Sequence, residues 1–336
     1  MQEPISIRSI HTFGCDVYAR RVVQVAHLEQ LHEVLEATSG QPRLILGGGS
    51  NVLFRGNFPG TIIQIGLTGI ECIQETDTEV FVKVQAGEIW HQWVMESLQR
   101  NWYGLENLAL IPGKTGASPM QNIGAYGVEI KDVFHSLEAW HIQDQAMVQF
   151  NKQECEFGYR ESVFKRKFRN QFVITSVTFR LSKIPRINIA YGAITAELES
   201  MNVQQPTPID VAQAVIRIRS SKLPDPAVTG NAGSFFKNPS VTQSLYLELK
   251  SAYPDLVAYP NSDGTMKLAA GWLIEKAGWK GFRRGDAGCH ARQALVLVNH
   301  GSATGDEVYQ LSEEIIQSVQ KMFNVTLERE VNIIPG

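Results

Sequence analysis

The segment Gly230–Pro239, which reads GNAGSFFKNP, carries the densest set of reactive groups in the sequence. It places a hydroxyl, an ammonium and two amides within ten residues. The small residues Ala232 and Gly233 precede Ser234, so another molecule can approach the backbone closely. Two phenylalanines follow Ser234 and can exclude water from its hydroxyl, which strengthens any polar contact. Taken alone, the segment is more simply explained as a glycine turn that enters a strand.

A glycine-rich loop earlier in the chain is a candidate anion-binding site. It follows a predicted strand at 43–46, and its three successive glycines free the backbone to turn N–H groups inward as a nest. The GxGxxG pattern is not met, and a predicted strand at 60–65 follows in place of an amphipathic helix. The region is therefore not a plain Rossmann unit, and a tight hairpin is the alternative. The loop consists of Gly47, Gly48, Gly49, Ser50 and Asn51.

A second loop, Ile111–Gly127, has four glycines and two prolines, which exclude a long regular element. Such a loop exposes many N–H groups and can wrap a flat polar ligand and its phosphates, although a surface Ω-loop is the alternative. Two such loops, roughly sixty residues apart with strands between them, favour one dinucleotide site. The binding residues expected in this loop are Pro112, Gly113, Thr115, Gly116, Ser118, Gln121, Asn122, Gly124, Ala125 and Tyr126.

Hydrophobic periodicity predicts the elements that position these loops. Helices are expected at 28–35, with Gly40 closing the helix, at 89–98, and from Thr207 to just before Lys222. The last third of the chain predicts further helices near 240–252, 268–277 and 304–323, the last with a capping box that starts at Thr304. Strands are expected at 80–84, 137–141, 147–150, 172–175, 293–298 and 326–334.

Composition limits the class of protein. The chain has 336 residues, enough for two or three domains, and is 43% hydrophobic and 19% charged. Its net charge of −3 gives no basic field for a nucleic acid. The four cysteines are widely spaced and predict reduced structural thiols in a cytoplasmic protein, with no metal site. No apolar run approaches the roughly 20 residues that a membrane helix needs.

Eight motifs in a fixed order resemble the UDP-N-acetylenolpyruvoylglucosamine reductase family over nearly the whole chain. Any one motif is only moderately specific, but eight in the right order are highly specific. The motifs are GGGSN, IPGKTGASPMQNIGAYGVEI, GYRESVFK, KLPDP, GNAGSFFKNP, KLAAGWLIEKAGWKG, QALVLVN and the terminal LEREV.

The resemblance implies an α+β fold of three domains. Two of them form an FAD-binding unit of the vanillyl-alcohol-oxidase type, and the C-terminal domain binds substrate. The implied divisions are 1–68, with the terminal segment 326–336 packing back on it, then 69–220 and 221–325. The segment Asn188–Gly192 is similar to the tyrosine loop of the longer-chain subgroup.

The resemblance also implies an activity, namely reduction of UDP-N-acetylglucosamine enolpyruvate to UDP-N-acetylmuramate by NADPH through FAD. This step serves peptidoglycan synthesis, and with it cell-wall biogenesis, cell shape, the cell cycle and division. The implied partners are the substrate and NADPH, with no nucleic acid and no membrane, and we expect a monomer. The FAD is expected to be non-covalent, because neither loop contains a histidine or cysteine. The implied substrate-binding residues are Tyr191, Lys222, Asn238, Tyr259, Lys280 and Gln293.

By the same resemblance the catalytic residues are Ser234, Arg160 and Glu330. Hydride addition to an enol ether requires that negative charge flow into its carboxylate, where the site must stabilise it. The fork of Arg160 suits a carboxylate, and Glu330 can donate a hydrogen bond only if burial raises its pKa and keeps it protonated. Ser234 would deliver the proton, which demands a short approach and a supporting network.

Simpler alternatives exist for these residues and for the whole chain. Arg160 can be a solvated or ion-paired residue, and Glu328 and Glu330 can be surface carboxylates. A flavin oxidase of the same fold class, which passes electrons to oxygen, is the second hypothesis for function. A module that binds a nucleotide sugar without turnover is the third. Lys237 has no role that the sequence supports.

Overall fold

The computed structural model describes residues 3–336, within which the chain forms seven α-helices and twenty strands. The first two residues of the predicted domain 1–68 lie outside the described residues. The helices are α1 Leu28–Ala37, α2 Trp90–Gln99, α3 Gly192–Ser200, α4 Pro208–Lys222, α5 Gln243–Ala252, α6 Ala270–Lys276 and α7 Gly305–Phe323. The strands are β1 Ile5–Ser6, β2 Tyr18–Val25, β3 Arg43–Leu46, β4 Val52–Phe54, β5 Phe58–Ile65, β6 Ile70–Glu75, β7 Glu79–Gln85, β8 Gly124–Ala125, β9 Val128–Glu129, β10 Phe134–His141, β11 Ala146–Asn151, β12 Phe172–Ser182, β13 Gly230–Ser234, β14 Ser240–Val241, β15 Ala258–Pro260, β16 Met266–Leu268, β17 Arg283–Arg284, β18 Ala287–Cys289, β19 Val296–Asn299 and β20 Asn332–Ile334.

The chain divides into two compact units. The central unit comprises Arg21–Gly48 and Gly60–Ser221. The terminal unit comprises the described residues up to Arg20, together with Gly49–Pro59 and Lys222–Gly336. The division into three domains remains a prediction, whereas the α+β class is confirmed by the mixture of helices and strands.

The central unit is built on a five-stranded antiparallel sheet with the order β11-β10-β12-β7-β6. Strand β7 alternates between buried and half-buried positions, so its valines enter the core, as an amphipathic strand requires. Helix α2 packs its apolar stripe into the same core, although the helix predicted at 89–98 included Ile89, which instead caps the helix and is 47% exposed. The buried residues of this stripe are Trp90, Trp93, Val94 and Leu98.

A smaller core in the central unit lies under α1. Leu31, Val34 and Leu35 on one face of the helix pack with Ile63 and other apolar residues of that core, and β3 pairs parallel with β5. The helix ends at Ala37, and Gly40 then takes a φ of +70°, a left-handed conformation that favours glycine. The predicted helix, its closing glycine and the strand at 43–46 are confirmed.

The terminal unit contains two antiparallel sheets, ordered β13-β19-β18-β17 and β14-β16-β15, and a parallel pair of β20 with β4. Helix α7 starts with the predicted capping box, in which the Thr304 hydroxyl accepts from the Glu307 N–H and the Glu307 carboxylate accepts from the Thr304 N–H. Its buried apolar face includes Val308, Leu311 and Ile315. Within residues 3–336, no helix is long and apolar enough to cross a membrane.

Several predicted element boundaries are wrong. Helix α4 includes Lys222, and the strand predicted at 293–298 begins only at Val296, because Gln293 closes a turn before it. In the predicted strand 326–334 only β20 is regular, although Leu327 and Val331 are buried. Helix α3 was not predicted, because its two buried apolar residues, Ile194 and Leu198, are too few to give a clear helical period in the sequence.

Candidate active site

The two glycine-rich loops approach each other in the central unit. A Cβ built on Gly48 would stand 3.0 Å from the Cα of Gly113, and one built on Gly47 would stand 3.8 Å from the Cβ of Lys114. The backbones of Gly48 and Gly113 can come this close because neither residue carries a side chain. The structure thus brings Gly47 and Gly48 to the start of the second loop.

The second loop is fixed to the end of β7. The N–H of Gly116 donates to the carbonyl of Ala86 at 3.0 Å, and a Cβ on Gly116 would stand 2.5 Å from the Cβ of Ala86. The Ser118 hydroxyl donates to the carbonyl of Thr115 at 2.7 Å. The Thr115 hydroxyl itself is fully buried and has no hydrogen-bond partner among residues 3–336, which leaves it able to accept a donor from a ligand.

Asn122 links this loop to the segment that carries Arg160. Its buried side chain donates to the Gly158 carbonyl at 2.9 Å and accepts from the Lys131 N–H at 3.1 Å. Arg160, at a φ of +53°, donates from Nη2 to the carbonyl of Gly124 at 2.7 Å. The Arg160 guanidinium therefore lies against the second loop, and the simple solvated alternative is not what the structure shows.

Arg219 on α4 is a second cation in this region that the sequence analysis missed. Its Nε donates to the Leu110 carbonyl at 3.2 Å, and its side chain is hydrogen-bonded to Tyr126. Burial lowers the pKa of Arg219, the bond with Tyr126 opposes this, and the nearby charge of Arg160 lowers it further. The sequence did contain a signal for Arg219. Arg219 stands four residues after the buried Val215 on α4, and residues at this spacing lie on the same face of a helix. Two guanidinium groups at one loop are suited to an anion.

Tyr191 belongs to the same neighbourhood of the central unit. Its ring meets the ring of Tyr126 edge to face, with 5.3 Å between centroids, and 45% of Tyr191 is exposed. The buried Asn107 donates to the carbonyls of Tyr126 and Asn188 at 3.0 and 2.9 Å. Asn107 thereby holds the tyrosine loop against the second glycine-rich loop, a role that no local sequence pattern indicated.

The ammonium group of Lys114, which follows Gly113, binds a protein carbonyl and is therefore not assigned to phosphate binding. Its Nζ donates to the carbonyl of Ile65 at 2.7 Å. Burial lowers the pKa of Lys114, and the charge of Glu88 opposes this shift. In the same loop the Gln121 side chain accepts from Lys165 Nζ at 3.4 Å, Pro112 is exposed and Ala125 is half-buried.

The remaining residues of the first loop lie in the terminal unit. Gly49 has a φ of +64°, and a Cβ there would stand 2.1 Å from the Ile10 carbonyl oxygen, so no other residue fits. Ser50 is half-buried. Asn51 donates from Nδ2 to the carbonyl of Glu330 at 3.3 Å, and its own carbonyl accepts from the Asn332 N–H at 3.1 Å. Asn51 therefore binds the backbone that carries a predicted catalytic residue.

Ser234 and Glu330 lie on two chain segments that pair in the terminal unit. The N–H of Glu330 donates to the Phe235 carbonyl at 2.8 Å, and the N–H of Lys237 donates to the Glu328 carbonyl at 2.9 Å. Ser234 directly precedes this ladder at the end of β13, and both Ser234 and Glu330 are half-buried. Phe235 and its neighbour Phe236 are fully buried, as expected for residues that exclude water.

Of the predicted substrate-binding residues, the structure brings two together at the start of α6. The Asn238 side chain accepts from the Ala270 N–H at 2.9 Å, and the Gln293 side-chain oxygen stands 3.2 Å from a Cβ built on Gly271. The other three in the terminal unit are spread over separate elements. These are Tyr259 on β15, Lys280, whose Nζ lies 3.0 Å from Glu275, and the exposed Lys222 at the end of α4.

The cysteines have no chemistry at this site. Cys15, Cys155 and Cys289 are buried free thiols, and Cys72 is exposed. Burial raises the pKa of Cys15 to about 11 and that of Cys155 and Cys289 to about 12. Thiols of such high pKa are poor nucleophiles at neutral pH.

Comparison with known proteins gives matches along the whole chain. The sequence profile of an FAD-binding domain matches residues 19–148. The profile of the UDP-N-acetylenolpyruvoylglucosamine reductase C-terminal domain matches residues 225–334. The UDP-N-acetylenolpyruvoylglucosamine reductase of Pseudomonas syringae pv. tomato is 47% identical over 99% of this chain and 98% of its own. The protein of that name from Flavobacterium johnsoniae is 47% identical over 99% of both chains.

A solved structure resembles the whole fold. The crystal structure of UDP-N-acetylenolpyruvylglucosamine reductase from Thermus caldophilus aligns with a TM-score of 0.68 at 24% identity, covering 99% of this chain and 98% of that one. This likeness shows the α+β fold. The 47% identical reductases and the FAD-binding match define the chain as an FAD-dependent oxidoreductase. The chain belongs to the UDP-N-acetylenolpyruvoylglucosamine reductase family.

Proposed function

We propose that the protein reduces UDP-N-acetylglucosamine enolpyruvate to UDP-N-acetylmuramate, with NADPH as hydride donor and FAD as the carrier. The observation that carries the proposal is the pairing of the Ser234 and Glu330 segments, in a chain 47% identical to named reductases over 99% of its length. Enzymes with this activity supply a peptidoglycan precursor, so the protein would act in cell-wall synthesis. A cytoplasmic location, a monomeric state and the three-domain division remain predictions.

The residues of the two loops fit an FAD dinucleotide. The backbones of Gly48 and Gly113 approach closely and carry no side chains that would cover their N–H groups, and the buried Thr115 hydroxyl has no hydrogen-bond partner among residues 3–336. When bound, FAD supplies the hydride for the reaction. The side chains of Ser118 and Asn122 already bind protein groups, so we assign them the shaping of the loop. Other predicted loop residues, among them Gly47, Gly48 and Gly113, would contact the cofactor through backbone N–H groups.

The reaction adds a hydride to the CH2 carbon of the enol ether and a proton to the neighbouring carbon. The carbon–carbon double bond is reduced, and NADPH is oxidised to NADP⁺. Arg160 would bind the carboxylate that receives the charge, and Glu330, in its protonated form, would donate a hydrogen bond to it. Ser234 would donate the proton to carbon, and Glu330 and the surrounding groups would stabilise that transfer.

The UDP-sugar would be held by Tyr191, Lys222, Asn238, Tyr259, Lys280 and Gln293, as proposed from the family resemblance. The ammonium groups of Lys222 and Lys280 suit a diphosphate, and the exposed rings of Tyr191 and Tyr259 are open to a ligand. Arg219 is a further cation in the neighbourhood of Arg160, and it supports an anionic substrate.

A steady-state assay tests the proposed function. The protein is incubated with NADPH and the enolpyruvyl sugar nucleotide. The loss of NADPH is followed by the absorbance of the reduced nicotinamide, and the mass of the product is measured by mass spectrometry. The expected product is heavier by two hydrogens, formed in a one-to-one ratio to NADPH oxidised. Oxygen consumption without that product would instead support a flavin oxidase, and binding without NADPH loss would support a nucleotide-sugar module.

A further inference from the structure

Two ion pairs fix the segment that carries Glu330. Lys237 Nζ lies 2.6 Å from Glu328 Oε1, and only 9% of the Lys237 side chain is exposed against 70% of that of Glu328. On the next residue, Arg329 Nη2 lies 2.7 Å from Glu313 Oε1 on α7, with 19% of the Arg329 side chain exposed. Lys237 and Glu313, which lie outside the segment, are thus each ion-paired to one of its residues.

Arg329 is held to α7 by more than charge. Its Nε donates to the Ser312 hydroxyl at 2.8 Å, and its guanidinium carbon lies 4.6 Å from the centroid of the Tyr309 ring. Arg55 stacks on the same ring at 4.0 Å and is paired with Asp306 at the start of the helix. Because several contacts converge on one planar side chain, Arg329 has little freedom to move along α7.

The main-chain ladder between the two segments is short, so side chains must help to set its register. Phe236 pairs with Arg329 as an isolated bridge, with Lys237 opposite Glu328 and Phe235 opposite Glu330. In extended chains a slip of one residue moves every side chain to the other face. Such a slip would separate Lys237 from Glu328 and withdraw Arg329 from α7.

We propose that Lys237 and Arg329 are positioning residues for proton delivery. They lock the register of 328–330 against 235–237 and thereby set the distance between the Ser234 hydroxyl and the Glu330 carboxyl. Both act through Glu330 and need not touch the substrate. This inference rests on the proposed function, because the pair is expected to matter only in the half-reaction that consumes the enolpyruvyl substrate.

Stopped-flow measurements on the FAD-loaded enzyme separate the two half-reactions. Arg329→Gln and Lys237→Met should each slow flavin reoxidation by the enolpyruvyl substrate about 10- to 100-fold, since small misplacement of a reacting group has effects of this size. Flavin reduction by NADPH should stay within about twofold of the wild-type rate. The solvent deuterium isotope effect on reoxidation should rise, because proton transfer becomes more rate-limiting.

A charge swap and a matched control distinguish positioning from general stability. The double variant Arg329→Glu, Glu313→Arg restores an ion pair of opposite polarity and should recover a large part of the lost reoxidation rate. It tests the proposal independently of Lys237→Met, in case that variant does not fold. The control Arg284→Gln removes another ion pair of α7, between Arg284 and Glu314 at 2.8 Å, and should leave both half-reactions unchanged.

Wild-type reoxidation rates in folded Arg329→Gln and Lys237→Met would overturn the positioning role. An equal slowing of both half-reactions would overturn it too, because a general loss of structure predicts that result. Failure of the wild-type flavin to be reoxidised by the enolpyruvyl substrate would instead refute the proposed function, so the two failures are distinguishable.

Discussion

At the scale of single residues, the proposed mechanism requires that a weak acid, the Ser234 hydroxyl, be held close to the carbon that it protonates. A serine hydroxyl does not donate a proton to carbon without help, so its neighbours decide its role. Ser234 ends β13 directly before two fully buried phenylalanines, and Phe235 pairs with Glu330. The hydroxyl of Ser234 and the carboxyl of Glu330 thus belong to paired backbone segments, beside two buried phenylalanines that exclude water.

The variant Ser234→Ala tests the hydroxyl directly. Flavin reduction by NADPH should be unchanged, while reoxidation by the enolpyruvyl substrate should slow about 100- to 10,000-fold, the range expected for the loss of a general acid. Rapid-mixing absorbance spectroscopy measures both steps. Ser244→Ala, which changes an exposed serine on α5, serves as the control and should match wild type. If Ser234→Ala retains wild-type rates in both steps, Ser234 is only a turn residue.

Individual residues also show what a sequence can predict. The types and order of the motifs were enough to select Ser234, Arg160 and Glu330 as candidates. They gave no role to Lys237, because its partner Glu328 lies 91 residues further along the chain. Arg219 was missed for a related reason, since its bond with Tyr126 joins distant parts of the central unit.

At the scale of elements, glycines decide how closely the loops can approach. The composition of residues 111–127 predicted a loop because glycine and proline interrupt regular structure. Which glycine is indispensable depended on tertiary neighbours, such as the Ala86 backbone against Gly116. Element boundaries were the weakest predictions, because side chains like Gln293 bind nearby backbone and delay the start of β19.

Gly48→Ala should weaken FAD binding. The added Cβ would stand 3.0 Å from the Cα of Gly113, so the two loops must separate by a few tenths of an ångström. We expect an affinity loss of about tenfold, equivalent to about 1.4 kcal/mol, measured by fluorescence titration of the apoprotein with FAD. Gly56→Ala is the control, because its Cβ would meet the Cα of Gly336 at 3.4 Å, an ordinary contact. Equal affinities for both variants would contradict the proposed role of Gly48.

At the scale of the whole molecule, full-length similarity and the described geometry point to one flavoenzyme. The family profiles match residues 19–148 and 225–334, which contain the first loop and the Ser234–Glu330 ladder respectively. No single unit contains every proposed residue, since Arg160 belongs to the central unit and Ser234 to the terminal unit.

Removal of FAD should lower thermal stability. A ligand that binds only the folded protein stabilises it by mass action, by about 2.7 kcal/mol at a free concentration of 100 times its Kd. Stripped apoprotein should therefore melt several degrees below the holoenzyme, and added FAD should restore the melting temperature in a concentration-dependent way. Riboflavin, which lacks the pyrophosphate, is the control and should restore less. An unchanged melting temperature on FAD addition would contradict the assignment of the loops.

The most direct test of the whole account follows the flavin spectrum without oxygen. The yellow FAD-loaded protein is first bleached with one equivalent of NADPH, and the enolpyruvyl sugar nucleotide is then added. We predict prompt and complete return of the oxidised flavin absorbance, with UDP-N-acetylmuramate formed in equal amount. A flavin that stays bleached until air is admitted would contradict the proposed reductase function.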